Sequence, residues 1–557
     1  MWLPGVLFVI TAISCAPTWL IARNFDRNAA PQFVSLSLSA GVLGVLFILW
    51  RTRTSIPRLV QAALAGLVLV STASLLNSHN IISGLTGDTG RYTGLVSLFA
   101  LIVIALFFSQ VDDTQFTKFY PWLIAGIGIV DLLGLFQAWG WFTLPGDGGI
   151  GSTLGNLDFF AAWLGTGFPL FFWKRIKSRM HALALALIFV LSLWILVKVG
   201  AKQGMMDFLL LIPVALIYLL RHNIKLPELS IKVWTGIGAF LVILWAEIIY
   251  LIPMAKIPFP GISGDANVRI RTDFWYSGFS QFAHHIFLGV GPDNYGNYYE
   301  KYRSLSSVKM TESVISNDAH SAIVQTFATL GIFGVIAFSA LVLFYIRALV
   351  ILIKSESHRW IGSVAAAFSL VFFTNSALSP ITLPNKFIFW AVAGYIIGAS
   401  QRINPLELHT SELPLRIATG VLVVVTAFIS VNFALADYKF VSASKNYKIS
   451  AYLPCTIYFP QQLALSAQTP DEAVAAARSQ VKNNPRCLEA QSILASAYIN
   501  EGNWVSAKGP IYALVDIAPG RKEIVRLASI YALKAKDVYL QQYLVSQGLK
   551  LGVLTQR

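Results

Sequence analysis

A histidine and several arginines stand where acid–base and anion-holding chemistry would need them. His320 closes the run "ISNDAH" just ahead of the apolar stretch "SAIVQTFATLGIFG", and Arg269 and Arg271 open "RIRTDFWYSGFSQFAHHIFLGVGPDNY". A neutral imidazole takes a proton from a hydroxyl, and guanidinium groups hold the negative charge that develops on a departing oxygen. If Asn317 or Asp318 caps the helix that follows, His320 falls in its first turn, where the helix dipole disfavours imidazolium. Nearby arginines act the same way, and Asp318 opposes them. The plainer alternative is a histidine hydrogen-bonded at an interface.

Other polar groups recur at similar places. Arg91 lies in "TGRYTGL", Asn156 and Asp158 in "STLGNLDFFAAWLG", and Lys202 and Gln203 in "AKQG" between two apolar runs. Arg91 also reads as an interfacial anchor whose stem lies along apolar surface. Asn156 or Asp158 also reads as an ordinary N-cap. Lys202 and Gln203 would be costly there without partners. His284 and His285 are adjacent, so on a helix they point apart; they read as surface, and no metal-ligand set emerges around them.

These residues are positioned by a membrane. The chain has 557 residues, 56% hydrophobic and only 12% charged, with mean hydropathy +0.64. Soluble domains carry about twice that share of charge. Apolar runs at 3–21, 33–50, 59–76, 92–109, 121–141, 157–173, 182–199, 205–220, 233–253, 320–346, 360–377, 387–400 and 417–436 predict an all-α polytopic membrane protein of 12–13 spans. The first run has no basic residue before it and no cleavage site after it, so it reads as a retained anchor.

Basic connections alternate along the chain. "RTRTSIPR", "WKRIKSR", "RHNIK" and the group Arg347, Lys354 and Arg359 form one set, which the positive-inside rule places in the cytoplasm. Arg91, Asn156, Lys202 and the long loop 254–319 then fall on the extracytoplasmic side, as does the tail if the span count is odd. Much of the net charge of +15 is topology and lipid-headgroup contact, so it is weak evidence for nucleic-acid binding, and no nucleic-acid partner is expected. "GVGPDNYGNYY" lacks the spacing of a dinucleotide loop and follows an amphipathic helix rather than a strand, so it reads as a turn.

Residues 1–436 form the expected transmembrane domain and 437–557 a helical one. Pro485 and Pro519 stand one tetratricopeptide period apart, with Leu494, Ala495, Tyr498 and Ala507 at packing positions, which suggests docking to a protein partner. Nothing in the spacing of Cys455 and Cys487 suggests metal; they could pair if that tail lies outside the cell, a point the sequence leaves open, and Cys15 reads as a packing residue.

In order, "GRYTGL", "GSTLGNLDFFAAWL", "AKQG", Arg271 four residues before Trp275, "HHIFLGVGPDNY" and "DAHSAIVQTFATLGIFG" resemble the O-antigen ligase and polymerase superfamily, which includes bacterial protein O-oligosaccharyltransferases. The resemblance covers roughly residues 85–400. Three positions differ from the usual pattern: Ser321 replaces an Asn, Lys202 stands nearest to an expected Arg, and "HH" replaces His-Pro. The resemblance implies inverting transfer of a glycan from undecaprenyl diphosphate to a hydroxyl of a glycan, lipid or protein acceptor. It would occur at the outer face of a bacterial cytoplasmic membrane, without metal or other cofactor. His320 would be the base and Arg271 the principal cation. Arg91, Lys202, Gln203, Arg269, Asn156, Asp158 and Asp318 would line the substrate site. The competing classes are a lipid or glycan transporter, whose related halves and paired broken helices are not visible here, and a scaffold working through the tail.

Overall fold

The computed structural model describes residues 2–15, 26–50, 54, 56–144, 149–174, 178–201, 203–211, 244, 246–254, 257, 266–310, 314–405, 413–442, 453–455 and 469–551. Among them there is no strand. Backbone groups in a hydrocarbon core must be satisfied within their own segment, and helices do this along apolar sequence. Among the described residues, six helices are long and apolar enough to cross a membrane: Ala29–Leu49, Arg58–Leu76, Asp113–Ala138, Ala322–Lys354, Arg359–Leu378 and Leu413–Asp437. Shorter apolar helices occupy Trp2–Ile13, Leu95–Ser109, Leu157–Phe172 and Leu183–Val199, and Leu383–Ile403 covers the expected run at 387–400. The runs at 205–220 and 233–253 lie largely outside the described residues, as do Lys202 and the connection "RHNIK".

The bundle is built around Leu95–Ser109, which is buried along nearly its whole length. Leu383–Ile403 lies flush against it: a Cβ at Gly394 would stand 2.3 Å from the Ala105 carbonyl oxygen, and one at Gly398 would meet Ser109 equally closely. Around this pair the outer helices turn Leu69, Leu343, Val424 and Phe428 outward, as lipid-facing surfaces require. Asp112 starts the Asp113–Ala138 helix with a reciprocal capping box to Gln115, at 2.8 and 3.0 Å.

The tail is a succession of helices, Pro470–Gln480, Leu488–Asn500, Trp504–Ile517, Lys522–Lys534 and Val538–Leu551, each packed on the next. Leu494, Ala495 and Ala507 are buried between them, and Cys455 is bonded to Cys487. The tail does not stand apart from the loop. Val308, on the loop helix Leu305–Met310, belongs to the same apolar core as Ala507, Ile511, Leu514 and Ala528. Loop and tail therefore lie at the same end of the bundle.

Candidate active site

The expected span at 320–346 is a broken helix. Within Ala322–Lys354, Gly331 takes φ 63° and ψ −165°, which divides a short half, 322–330, from a long one. The break releases backbone carbonyls that need new donors. Val290 N–H donates to the Ala328 carbonyl at 2.9 Å and Gly291 N–H to that of Thr329 at 3.1 Å, while Ile332 N–H donates to Ile286 at 2.7 Å. Ser74 Oγ bonds the Leu288 and Thr329 carbonyls at 2.6 and 2.8 Å. Gly289 makes the approach possible: its φ is +66°, and any Cβ there would stand 2.3 Å from the Thr329 carbonyl carbon. The "GVGPDNY" stretch is thus a backbone clasp on the short half-helix.

His320 sits just before that half-helix. The expected cap by Asn317 or Asp318 is not what forms: Ser321 is the N-cap, accepting from Val324 N–H at 3.4 Å, so His320 precedes the first turn. Its φ is 51°, an uncommon conformation for a residue with a side chain. The neighbouring Asp318 holds it there, its Oδ1 accepting from His320 N–H at 2.6 Å. His320 Nδ1 lies 3.1 Å from the Asp318 carbonyl oxygen. A carbonyl has no proton to give, so Nδ1 donates and Nε2 carries the lone pair. The ring leans on Phe274, with centroids 4.8 Å apart. Burial pulls the imidazole pKa down to about 4; the Asp318 carboxylate and backbone raise it, and Arg91 and Arg271 lower it. The side chain is neutral at pH 7.

Among the described residues, the expected cations come from two segments. Arg271, on the helix Ala266–His284, places Nη2 3.9 Å from Asp158 Oδ2 on the helix Leu157–Gly167. Arg91 lays its guanidinium over the Phe159 ring, 4.7 Å from the centroid, and its buried Nε has no hydrogen-bond partner. Arg269 is exposed on the outer part of its helix. Asn156 is occupied as the N-cap of Leu157–Gly167, accepting from Asp158 N–H at 2.8 Å. Gln203 joins a separate interior network. It donates to Asn375 Oδ1, and Asn375 donates in turn to Asp207 Oδ2 at 2.9 Å and Thr166 Oγ1 at 3.4 Å. Tyr250 connects that layer to the site, bonding the Ala377 carbonyl at 3.1 Å and Ser321 Oγ at 2.8 Å. Lys202 lies outside the described residues.

Two further residues belong here that the sequence reading passed over. Asp293 is buried, and its Oδ2 accepts from Asp88 N–H at 2.9 Å and Thr93 N–H at 3.1 Å, with Thr93 Oγ1 on Oδ1 at 2.9 Å. It thereby holds both ends of the segment carrying Arg91. Burial pushes its pKa up, partly offset by the Asp88 N–H bond, and Asp318 pushes it further up. Lys386, at the start of Leu383–Ile403, is drawn electrostatically to Asp293 and Asp318 and repelled by Arg91. A lone cation at the mouth of an apolar run was the signal available for it.

The cluster can deprotonate a hydroxyl beside a field suited to an anion. Among the described residues, no three His, Cys, Asp or Glu side chains group as metal ligands. A family model described as O-antigen ligase matches residues 159–339, from the ring beneath Arg91, through Arg271 and His320, to the helix beyond the Gly331 break. No curated protein matches the chain.

Proposed function

We propose that the chain, which matches the O-antigen ligase family model over residues 159–339, transfers a glycan from a lipid diphosphate to a hydroxyl acceptor. The match supports a glycosyltransferase-type membrane protein. What carries the finer reading is one convergence: His320, with its lone pair on Nε2, lies in the field of both Arg91 and Arg271.

In this reaction His320 Nε2 takes the proton as the acceptor oxygen bonds to the anomeric carbon. The bond from that carbon to the diphosphate oxygen breaks, and the electron pair leaves with the lipid diphosphate. Attack opposite the leaving group inverts the centre. Arg271 and Arg91 meet the charge that develops on the diphosphate. Asp158 orients Arg271, and the Asp318 carbonyl fixes the imidazole tautomer.

An imidazole with a pKa of about 4 is neutral but a weak base. A bound diphosphate offsets the two guanidinium charges that depress it, so the donor raises the imidazole pKa toward the working pH. The base is strengthened when there is a donor to use it on.

Two observations support an extracytoplasmic site in a bacterial cytoplasmic membrane. The tail that packs on the loop holds the Cys455–Cys487 disulfide, a bond of oxidising compartments. The basic connections belong to the opposite set of loops. No nucleotide is then at hand, which suits a lipid-carried donor.

The test is single-turnover transfer by purified protein in nanodiscs, with a synthetic polyprenyl-diphosphate glycan and a small hydroxyl acceptor. Stereochemically inverted product with release of polyprenyl diphosphate is expected. Tight donor binding with movement between leaflets and no bond cleavage would instead favour a transporter.

A further inference from the structure

Among the tail side chains that meet the loop, Arg486 makes the most connected contact. Arg486 stands beside Cys487, and its backbone N–H donates to Asn80 Oδ1 at 3.0 Å. Its Nε donates to the Asn297 carbonyl at 3.1 Å, its Nη1 to Asp516 Oδ2 at 2.5 Å, and its guanidinium covers Tyr298, 4.2 Å from the ring centroid. Asp516 is shared: Lys301 Nζ reaches its other oxygen at 2.6 Å. Beside them Glu300, almost fully buried, accepts from Arg521 of the tail at 3.2 Å and from Arg303 of the loop at 3.4 Å. On the other flank, Asn484 Oδ1 accepts from Ser83 N–H, and Ser83 Oγ accepts from Cys455 N–H at 3.3 Å.

From Arg486 the bonding continues inward along two lines. Asn297 Nδ2 donates to Asn294 Oδ1 at 2.9 Å, and Asn294 Nδ2 to the Asn80 carbonyl at 3.3 Å. The residue before Asn294 is Asp293, which holds the Arg91 segment. On the second line the loop helix Tyr295–Tyr302 is bonded to the arginine helix. Tyr295 Oη donates to the Phe274 carbonyl at 2.7 Å, and Ser277 Oγ to that of Tyr299 at 3.2 Å. Phe274 lies one turn from Arg271, and its ring supports His320.

We propose that Arg486 is a positioning residue for glycan transfer, through which the tail keeps Arg91, Arg271 and His320 in register. The tail is then a part of the enzyme and not a detachable docking module. This rests on the transfer reading above, and it makes a demand which that reading does not. Groups that must meet a transition state tolerate little displacement, and a misplacement of about 1 Å costs on the order of 100-fold.

The test compares wild type, Arg486→Ala, Arg486→Lys and Asp516→Asn as full-length chains in nanodiscs, with Tm, single-turnover transfer to a small acceptor and amide exchange followed together. Transfer to a small acceptor needs no docked protein, so a docking role leaves it untouched. In Arg486→Ala, kcat should fall about 10–100-fold with donor KM changed less than about threefold. Arg486→Lys, which lacks the planar fork and the ring contact, should recover only part of kcat, and Asp516→Asn should be intermediate. Amide exchange should quicken at 87–94, remote from the substitution, and stay unchanged at 182–199. Wild-type kcat in a folded Arg486→Ala, or exchange that quickens in the tail alone, overturns the proposal. If Arg486→Ala fails to fold, Asp516→Asn and Arg486→Lys decide by the same two readouts. If the wild type transfers nothing, the transfer reading fails, and the exchange pattern still reports whether Arg486 orders the Arg91 segment.

Discussion

Arg271 Nη2 and Asp158 Oδ2 stand 3.9 Å apart, an ion pair between two helices, and the Arg271 charge acts on His320. The pair orients the guanidinium, whose charge and planar fork suit the diphosphate of the proposed donor. Arg271→Ala should weaken donor binding and slow transfer, Arg271→Lys should recover charge without the fork, and Asp158→Asn should lower kcat by less than either. Donor titration and single-turnover rates on the same preparations check the order.

His320→Ala should bind donor nearly normally and transfer roughly 10²–10⁴-fold more slowly, the scale for losing a general base. Near-wild-type turnover, or loss of donor binding that Arg271→Ala does not share, would overturn this division of roles.

The two acid limbs should separate. The limb of kcat/KM reports free enzyme and should lie near pH 4, where the imidazole of the donor-free site protonates. The limb of kcat reports the donor complex and should lie at higher pH, because the bound anion offsets Arg91 and Arg271. Stability runs the same way. The folded pKa is below the unfolded value of 6.5, so the contribution of His320 is full above pH 6.5 and drains as pH falls toward 4. In His320→Ala both the limb and this part of the stability slope should vanish.

Gly331→Ala and Gly289→Ala should each destabilise by about 1–3 kcal/mol from the left-handed backbone alone. Each should cost more than that, because the added Cβ also meets backbone, 2.3 Å from the Thr329 carbonyl carbon at Gly289 and 2.4 Å from the Phe287 carbonyl oxygen at Gly331. Thermal unfolding in nanodiscs, with transfer rates on the folded fraction, measures both.

Sidedness has a direct check. In a Cys15→Ala background, a cysteine at Ser306 should react with an impermeant thiol reagent in intact cells, and one at Ser178 should not. Labelling of Ser178→Cys alone would invert the orientation and remove the case for a lipid-carried donor.

The helices were legible because apolar runs of spanning length admit no other backbone, and His320, Arg271, Arg91 and Asp158 because charge at a span mouth is expensive. The same rule caught Gln203, yet residues 203–211 turn it toward Asn375, a choice of helix face that composition does not carry. Lys386 went unremarked, one cation at the flank of an apolar run. Asp293 passed as a turn residue because its partners lie about two hundred positions away, at Asp88 and Thr93. The break at Gly331 was hidden in "TLGIFGVI", which reads as continuous helix until the Gly289 turn is laid against it.

The bond between Arg486 and Asn80 spans 406 positions in the chain. Such a contact forms late, after the intervening helices have entered the bilayer and the C-terminal segment has left the ribosome. A nascent chain therefore holds its arginines and its histidine for most of its synthesis without the bonds that set their spacing. With the tail on the outer side, as proposed above, biogenesis has an order of its own: insertion, translocation of the tail, oxidation of Cys455 with Cys487, and only then a finished site. If Arg486 sets that spacing, the site stays silent while the chain is being made.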